Sequence, residues 1–195
     1  MNALECTDKE LVESYRKGNH TSFELLIDRH QVRIFSYIMM LVKDKQLADD
    51  IFQDTFIKII RTIKNGTYKE EGKFIQWAMR IAHNLVIDHF RKSKRIPYSD
   101  VQNDSYDFLE NISLADPSIE QQIITDQIHE DLRQLITFLP EEQREVLYLR
   151  LYSEMSFKDI AELTNVSINT ALGRMRYALI NIRKMINEKN LVLTQ

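Results

Sequence analysis

Glycine and proline are scarce, with four Gly and three Pro in 195 residues. Both interrupt helices, so long helices are expected to run with few breaks. Cysteine is scarcer still. Cys6 stands alone, which excludes an internal disulfide and suits a reducing compartment. No apolar run approaches the length of a membrane span, so direct membrane insertion is not expected. The stretch Met1 to Asp8 lacks the basic-then-apolar form of a signal peptide, and a cytoplasmic location is the expectation. His83 and His89 are six apart and do not share a helix face, and no Cys/His cluster has zinc-ligand spacing. There is no phosphate loop and no nucleophile–base triad. The expectation is a protein that is not an enzyme, with no cofactor and no metal. No β-rich segment and no internal repeat is present.

What the chain does have is a hydrophobic fraction of 44%, enough for real cores, and an uneven charge distribution. The net charge of −3 argues weakly against nucleic acid. Its distribution argues otherwise. Between Gly72 and Arg95 lie six basic residues (Lys73, Arg80, Arg91, Lys92, Lys94 and Arg95) against one acid, Asp88. From Ile96 to Leu132 there is no Lys or Arg, and nine acids. From Ile168 to Lys189 there are five basic residues and one acid. Two basic helical segments separated by an acidic interval suggest two DNA-facing domains on a linker.

Capping and periodicity locate the elements. Thr7 or Asp8 caps a short helix ending at Gly18. Thr21-Ser22-Phe23-Glu24 has the form of a capping box, opening a helix toward Val42. Asp44 caps the next, which runs to about Ile63 and breaks at Asn65-Gly66. A loop through Tyr68 and Gly72 leads to a helix from Phe74 to about Lys92. Periodicity fades from Ile96 to Pro117 and returns at Ile124, Ile128, Leu132, Leu135 and Leu139. Pro140 is placed at the first turn of a helix over Glu141 to Leu151, where its missing N–H costs nothing. The fold class expected is all-α, with two small helical domains: 1–95, an acidic linker over 96–119, and 120–195.

The segment Met155 to Ala171 reads as a helix-turn-helix. Phe157, Ile160, Ala161 and Leu163 keep helical spacing. Asn165 tolerates the left-handed backbone that the turn needs, and Ser167 caps the second helix. That helix places Ile168, Ala171, Leu172, Met175, Ala178, Leu179, Ile182 and Ile186 on its apolar side. Asn169, Thr170, Arg174, Arg176 and Tyr177 fall on the other. Such a helix suits a major groove, although a helical hairpin with solvated arginines has the same spacing.

The first domain carries two notable surfaces. Asp49, Asp50, Gln53 and Asp54 form one acidic face, which is either solvated or a docking site for a basic partner. On the helix from Phe74, the residues Phe74, Trp77, Ile81 and Leu85 point one way, and Arg80, Asn84, Ile87 and Arg91 the other. Interleaved aromatics and arginines suit unpaired bases, while Trp77 and Phe74 equally suit core anchors.

These pieces together resemble bacterial RNA polymerase sigma factors. Asp49-Asp50-Ile51-Phe52-Gln53-Asp54-Thr55-Phe56 looks like their core-binding helix. Phe74 to Lys92 looks like the promoter-melting, minus-ten helix. Leu139 to Leu147 and the helix-turn-helix look like region four, which reads the minus-thirty-five element. Region two followed directly by region four resembles the extracytoplasmic-function (ECF) group. The resemblance implies core RNA polymerase as partner for Asp49, Asp50, Gln53 and Asp54. It implies minus-ten DNA contacts from Tyr68, Lys73, Arg80, Asn84, Asp88, Arg91, Lys92 and Arg95, and minus-thirty-five contacts from Ser167, Asn169, Thr170, Gly173, Arg174 and Arg176. It also allows an anti-sigma factor as a partner and a linker that threads a basic polymerase channel. One departure stands out: many relatives carry Val-Lys-Ser-Arg where this chain has Ala171-Leu172-Gly173-Arg174. The rival reading is a conventional helix-turn-helix regulator that binds a duplex operator without core polymerase.

Overall fold

The computed structural model describes residues 6–69, 71–93 and 131–189. The chain forms two compact units, and no strand occurs among the described residues. The first unit contains α1 (Asp8–Arg16), α2 (His20–Val42), α3 (Lys45–Lys64) and α4 (Phe74–Ser93). The second contains a helical stretch over 131–137, here α5, then α6 (Glu141–Leu151), α7 (Phe157–Leu163) and α8 (Ile168–Glu188). Arg95, the interval 96–119, and Ile124 and Ile128 of the expected apolar stripe lie outside the described residues.

Helix starts follow local side-chain chemistry. Thr7 and Glu10 form a reciprocal capping box on α1: the Glu10 amide donates to the Thr7 hydroxyl, and the Thr7 amide donates to the Glu10 carboxylate at 2.8 Å. Asp44 Oδ1 accepts from the Leu47 amide at 2.8 Å and starts α3. Two local expectations fail. α2 begins at His20, with Asn19 as a cap that makes no side-chain hydrogen bond. Thr21 to Glu24 is therefore already inside the first turn. Gly18, with φ 99°, turns the chain between α1 and α2, and the Ser22 hydroxyl donates to Ser14 Oγ at 2.8 Å. Pro140 likewise sits one residue earlier than expected, as the N-cap of α6, with ψ 145°.

In the first unit α2 is the hub, packing against α1, α3 and α4. Leu26, Ile34, Tyr37, Ile38, Ile59, Ile63, Phe74 and Met79 are almost completely buried there. Two buried polar contacts tie these helices together. Tyr37 Oη and His83 Nδ1 lie 2.8 Å apart. His30, packed on Phe74, places Nε2 2.8 Å from the Asp8 carboxylate, which Arg29 also contacts at 2.6 Å. Burial alone would raise the Asp8 carboxyl. The hydrogen bond and charge of His30, then those of Arg29, outweigh it and hold the group below its ordinary 3.8.

In the second unit Leu135, Ile136, Leu139, Leu147, Ala178 and Ile182 form the core. Asn181 donates to Gln143 at 2.8 Å, tying α8 to α6. Arg150 donates to the Met155 carbonyl at 2.8 Å and holds the turn into α7.

Candidate nucleic-acid and polymerase interfaces

The α3 surface is built by a helix whose opposite side is committed to the core. Ala48, Ile51, Thr55, Phe56, Ile59 and Ile63 are buried. Helical periodicity then leaves Asp50, Gln53 and Asp54 outside, where they are exposed. Asp49 lies at the margin, half-buried. None of the four takes part in an ion pair or side-chain hydrogen bond among the described residues. Their charge is not consumed within the unit. Ile57, four residues after Gln53, is exposed on the same side at 43%. An apolar side chain within an acidic face was not singled out from sequence, because it reads there as one more core residue.

On α4, Ile75, Ala78, Met79, Ala82, His83 and Val86 face the core. Arg80, Asn84, Ile87 and Arg91 share the exposed side, as their spacing predicts. Lys73, Asp88 and Lys92 are also exposed. Arg91 approaches Asp88 at 3.6 Å, with both side chains more than half exposed. A pair that open is worth at most about 1 kcal/mol and yields readily to a phosphate. Trp77 is half-buried. Its ring centroid lies 4.1 Å from that of Tyr68 and 5.9 Å from that of Phe74. One side of the indole is thus held by Tyr68 and Phe74, and the rest is accessible.

Tyr68 differs from the other expected DNA contacts. It is only 5% exposed, inserted between Trp77 and Phe74. The Arg16 guanidinium lies 5.9 Å from its ring and donates to its carbonyl oxygen. The side chain supports the surface from beneath instead of presenting itself on it. Sequence placed Tyr68 in a polar loop, and only the tertiary fold turns its ring inward.

In the second unit, Ser156 and Ser167 cap α7 and α8 through their hydroxyls. Asn165 adopts φ 55°, the left-handed turn expected between them. α8 buries Ala171, Ala178 and Ile182, with Met175 and Ile186 half-buried. Ser167, Asn169, Thr170 and Arg176 are exposed, and Gly173 and Arg174 are half-exposed. Arg174 therefore lies on the flank of the helix, whereas Arg176 projects from its outer side. Ile168, Leu172 and Leu179, counted above with the apolar side, are exposed at 47%, 44% and 42%. Apolar character alone does not separate the centre of a buried stripe from its edge. Among the described residues no cluster of His, Cys, Asp or Glu is placed to hold a metal, and no helix is long and apolar enough to cross a membrane.

Known proteins match this arrangement. The Sigma-70 region 2 family matches residues 26–96, and the Sigma-70 region 4 family matches residues 129–176. The chain is 33% identical over 171 residues to the RNA polymerase sigma-H factor of Pseudomonas aeruginosa, covering 86% of this chain and 88% of that protein. The chain belongs to the ECF sigma factors of bacterial RNA polymerase. The ECF sigma factor SigW of Bacillus subtilis is 27% identical, with 95% of this chain and 100% of SigW covered. Among solved structures, CnrH in complex with the cytosolic domain of CnrY shares the fold, with a TM-score of 0.56, 20% identity, and coverage of 93% of this chain and 97% of that one. The sigma factor RpoE bound to the anti-sigma factor NepR from Bartonella quintana gives a TM-score of 0.55 at 19% identity, covering 86% and 96%. The all-α expectation holds. As a sigma factor the chain directs RNA polymerase to promoters, and the conventional-regulator reading is not favoured, because the region 2 match covers α3 and α4 in addition to the region 4 match over the helix-turn-helix.

Proposed function

We propose that the sigma-factor activity is divided among three surfaces, carried by a domain over 1–95 and a domain over 120–195, joined by the acidic interval 96–119. The acidic side of α3 (Asp49, Asp50, Gln53 and Asp54) docks core polymerase, with complementary charge guiding encounter. The exposed side of α4, with Arg80, Asn84 and Arg91 at its centre and Lys73, Asp88 and Lys92 around it, holds the minus-ten strand after melting, together with Arg95, which follows in sequence. The start of α8 (Ser167, Asn169, Thr170, Gly173, Arg174 and Arg176) enters the major groove of the minus-thirty-five duplex. The protein works in the cytoplasm. An anti-sigma factor is its natural regulator, by analogy with the NepR complex of RpoE.

The observation that carries this reading is the exposed grouping of Arg80, Asn84 and Arg91 beside the half-buried Trp77. Cations there meet phosphates while an indole edge and an amide meet an unstacked base. Unstacking costs a few kcal/mol per base, so contacts available only to the melted strand offset it. Asn84→Ala is expected to slow open-complex formation while leaving closed-complex binding near wild type. Permanganate footprinting on duplex and pre-melted promoters tests this. A defect that a pre-melted bubble leaves unrescued removes Asn84 from strand capture.

The two arginines of α8 are expected to behave differently. Arg176→Ala removes an outward-facing side chain and should cost about 1–3 kcal/mol, concentrated at one base pair if the contact is to a base edge. Arg174→Ala, on the flank, should weaken minus-thirty-five binding more evenly across sequences, as a phosphate contact does. Holoenzyme titrations against single-base variants of one promoter separate the two patterns. Wild-type binding by either variant removes that arginine from the interface.

A further inference from the structure

The first turns of α8 carry two side chains that polar recognition does not explain. Ile168 follows the Ser167 cap directly and is 47% exposed, and Leu172, one turn later, is 44% exposed. They form an apolar strip bordered by Asn169 and Arg176, both exposed. The helical core of this unit does not use the strip, since α8 packs through Ala171, Ala178 and Ile182. Gly173 lies beside it. A Cβ at Gly173 would meet no atom within 4 Å, so the packing of the protein does not require glycine there. A helical glycine lowers stability by about 1 kcal/mol against alanine. What a missing side chain does provide is close approach of the helix backbone to something outside the protein.

The largest apolar group on the major-groove edge of a base pair is the C5 methyl of thymine. We infer that Ile168 and Leu172 read thymine methyls in the minus-thirty-five duplex and are specificity-determining residues of this sigma factor, with Gly173 letting the helix sit close enough for contact. This rests on the proposed entry of α8 into the major groove. The polar neighbours fix the register of the helix through phosphates and base edges. The apolar strip then distinguishes a pair that carries a methyl at the contacted position from one that does not.

Uracil tests this directly, because it presents the same hydrogen-bonding edge as thymine and lacks the methyl. Holoenzyme reconstituted from core polymerase and the full chain is first used to select from duplexes randomised across the minus-thirty-five region. Each thymine of the selected sequence is then replaced in turn by uracil. At one or more positions affinity should fall about fourfold, the equivalent of the ~0.8 kcal/mol of one buried methyl-sized group. Holoenzyme carrying Leu172→Ala or Ile168→Ala should bind the thymine and uracil forms of that position equally. Gly173→Ala should raise the thermal midpoint of the protein and yet weaken binding to the selected duplex. Selection of a defined sequence with indifference to uracil at every thymine overturns the inference while leaving the groove reading of α8 intact. Variants that keep wild-type sensitivity to uracil overturn it as well. If no sequence is enriched, the groove reading itself falls, and the inference falls with it.

Discussion

Replacing Asp50 and Asp54 together by Lys should reduce affinity for core polymerase by several kcal/mol, a hundredfold or more in roughly estimated Kd. The two carboxylates lie one helical turn apart on α3, both exposed, and neither is engaged in an ion pair within the described residues. Charge that the fold leaves unpaired is available to a basic partner. Reversal does more than delete an attraction, because like charges pressed together across an interface repel. The side of α3 that holds the helix in place is untouched, since Ala48, Ile51, Thr55 and Ile59 face inward. Lys is also a good helix former, so the unit should keep its fold. A core-binding titration at two salt concentrations, with circular dichroism as the folding control, decides the matter. The defect should shrink at high salt, because screening weakens repulsion as well as attraction. Unchanged affinity in a folded variant would falsify α3 as the docking element.

Tyr68→Ala should cost about 3 kcal/mol or more of stability in the first unit, as truncation of a buried aromatic does. The ring is 5% exposed and lies against Trp77 at 4.1 Å and Phe74 at 6.3 Å. Removing it opens a cavity under the surface that carries Arg80 and Asn84. Trp77 is the only tryptophan of the chain, so its fluorescence reports this site directly. Urea unfolding followed by that signal should show an earlier midpoint and an altered native spectrum. Tyr68→Phe keeps the ring and should stay close to wild type in both. Promoter melting should then fail in the alanine variant through loss of the Trp77 support, and recover in part at lower temperature, where the marginal unit is folded. A stable Tyr68→Ala protein with a selective melting defect would instead place the Tyr68 side chain on the DNA.

Much of this protein is legible in the chain itself. The starts of α1, α3, α7 and α8 follow from Thr7, Asp44, Ser156 and Ser167, because a cap is a contact between residues three apart and needs no distant partner. The left-handed turn at Asn165 is local for the same reason. The exposed sets on α3 and α4 follow from periodicity, since a helix with one buried stripe leaves its other side to solvent. Motif order adds the family, because three segments at the right spacing constrain far more than any one of them.

Tertiary structure decided what periodicity averages over. Thr21 has the sequence of a cap, yet α2 already begins at His20, where Ser22 meets Ser14 across the α1–α2 turn. Tyr68 has the setting of a loop contact, yet Phe74 and Trp77 draw its ring inside. Ile168 and Leu172 have the pattern of core residues, yet lie at the edge of the α8 stripe, where they remain 47% and 44% exposed. Each outcome depends on which residues distant in sequence arrive nearby. A local pattern fixes which side of a helix is apolar, but how wide a strip its neighbours cover is set only when the helices pack.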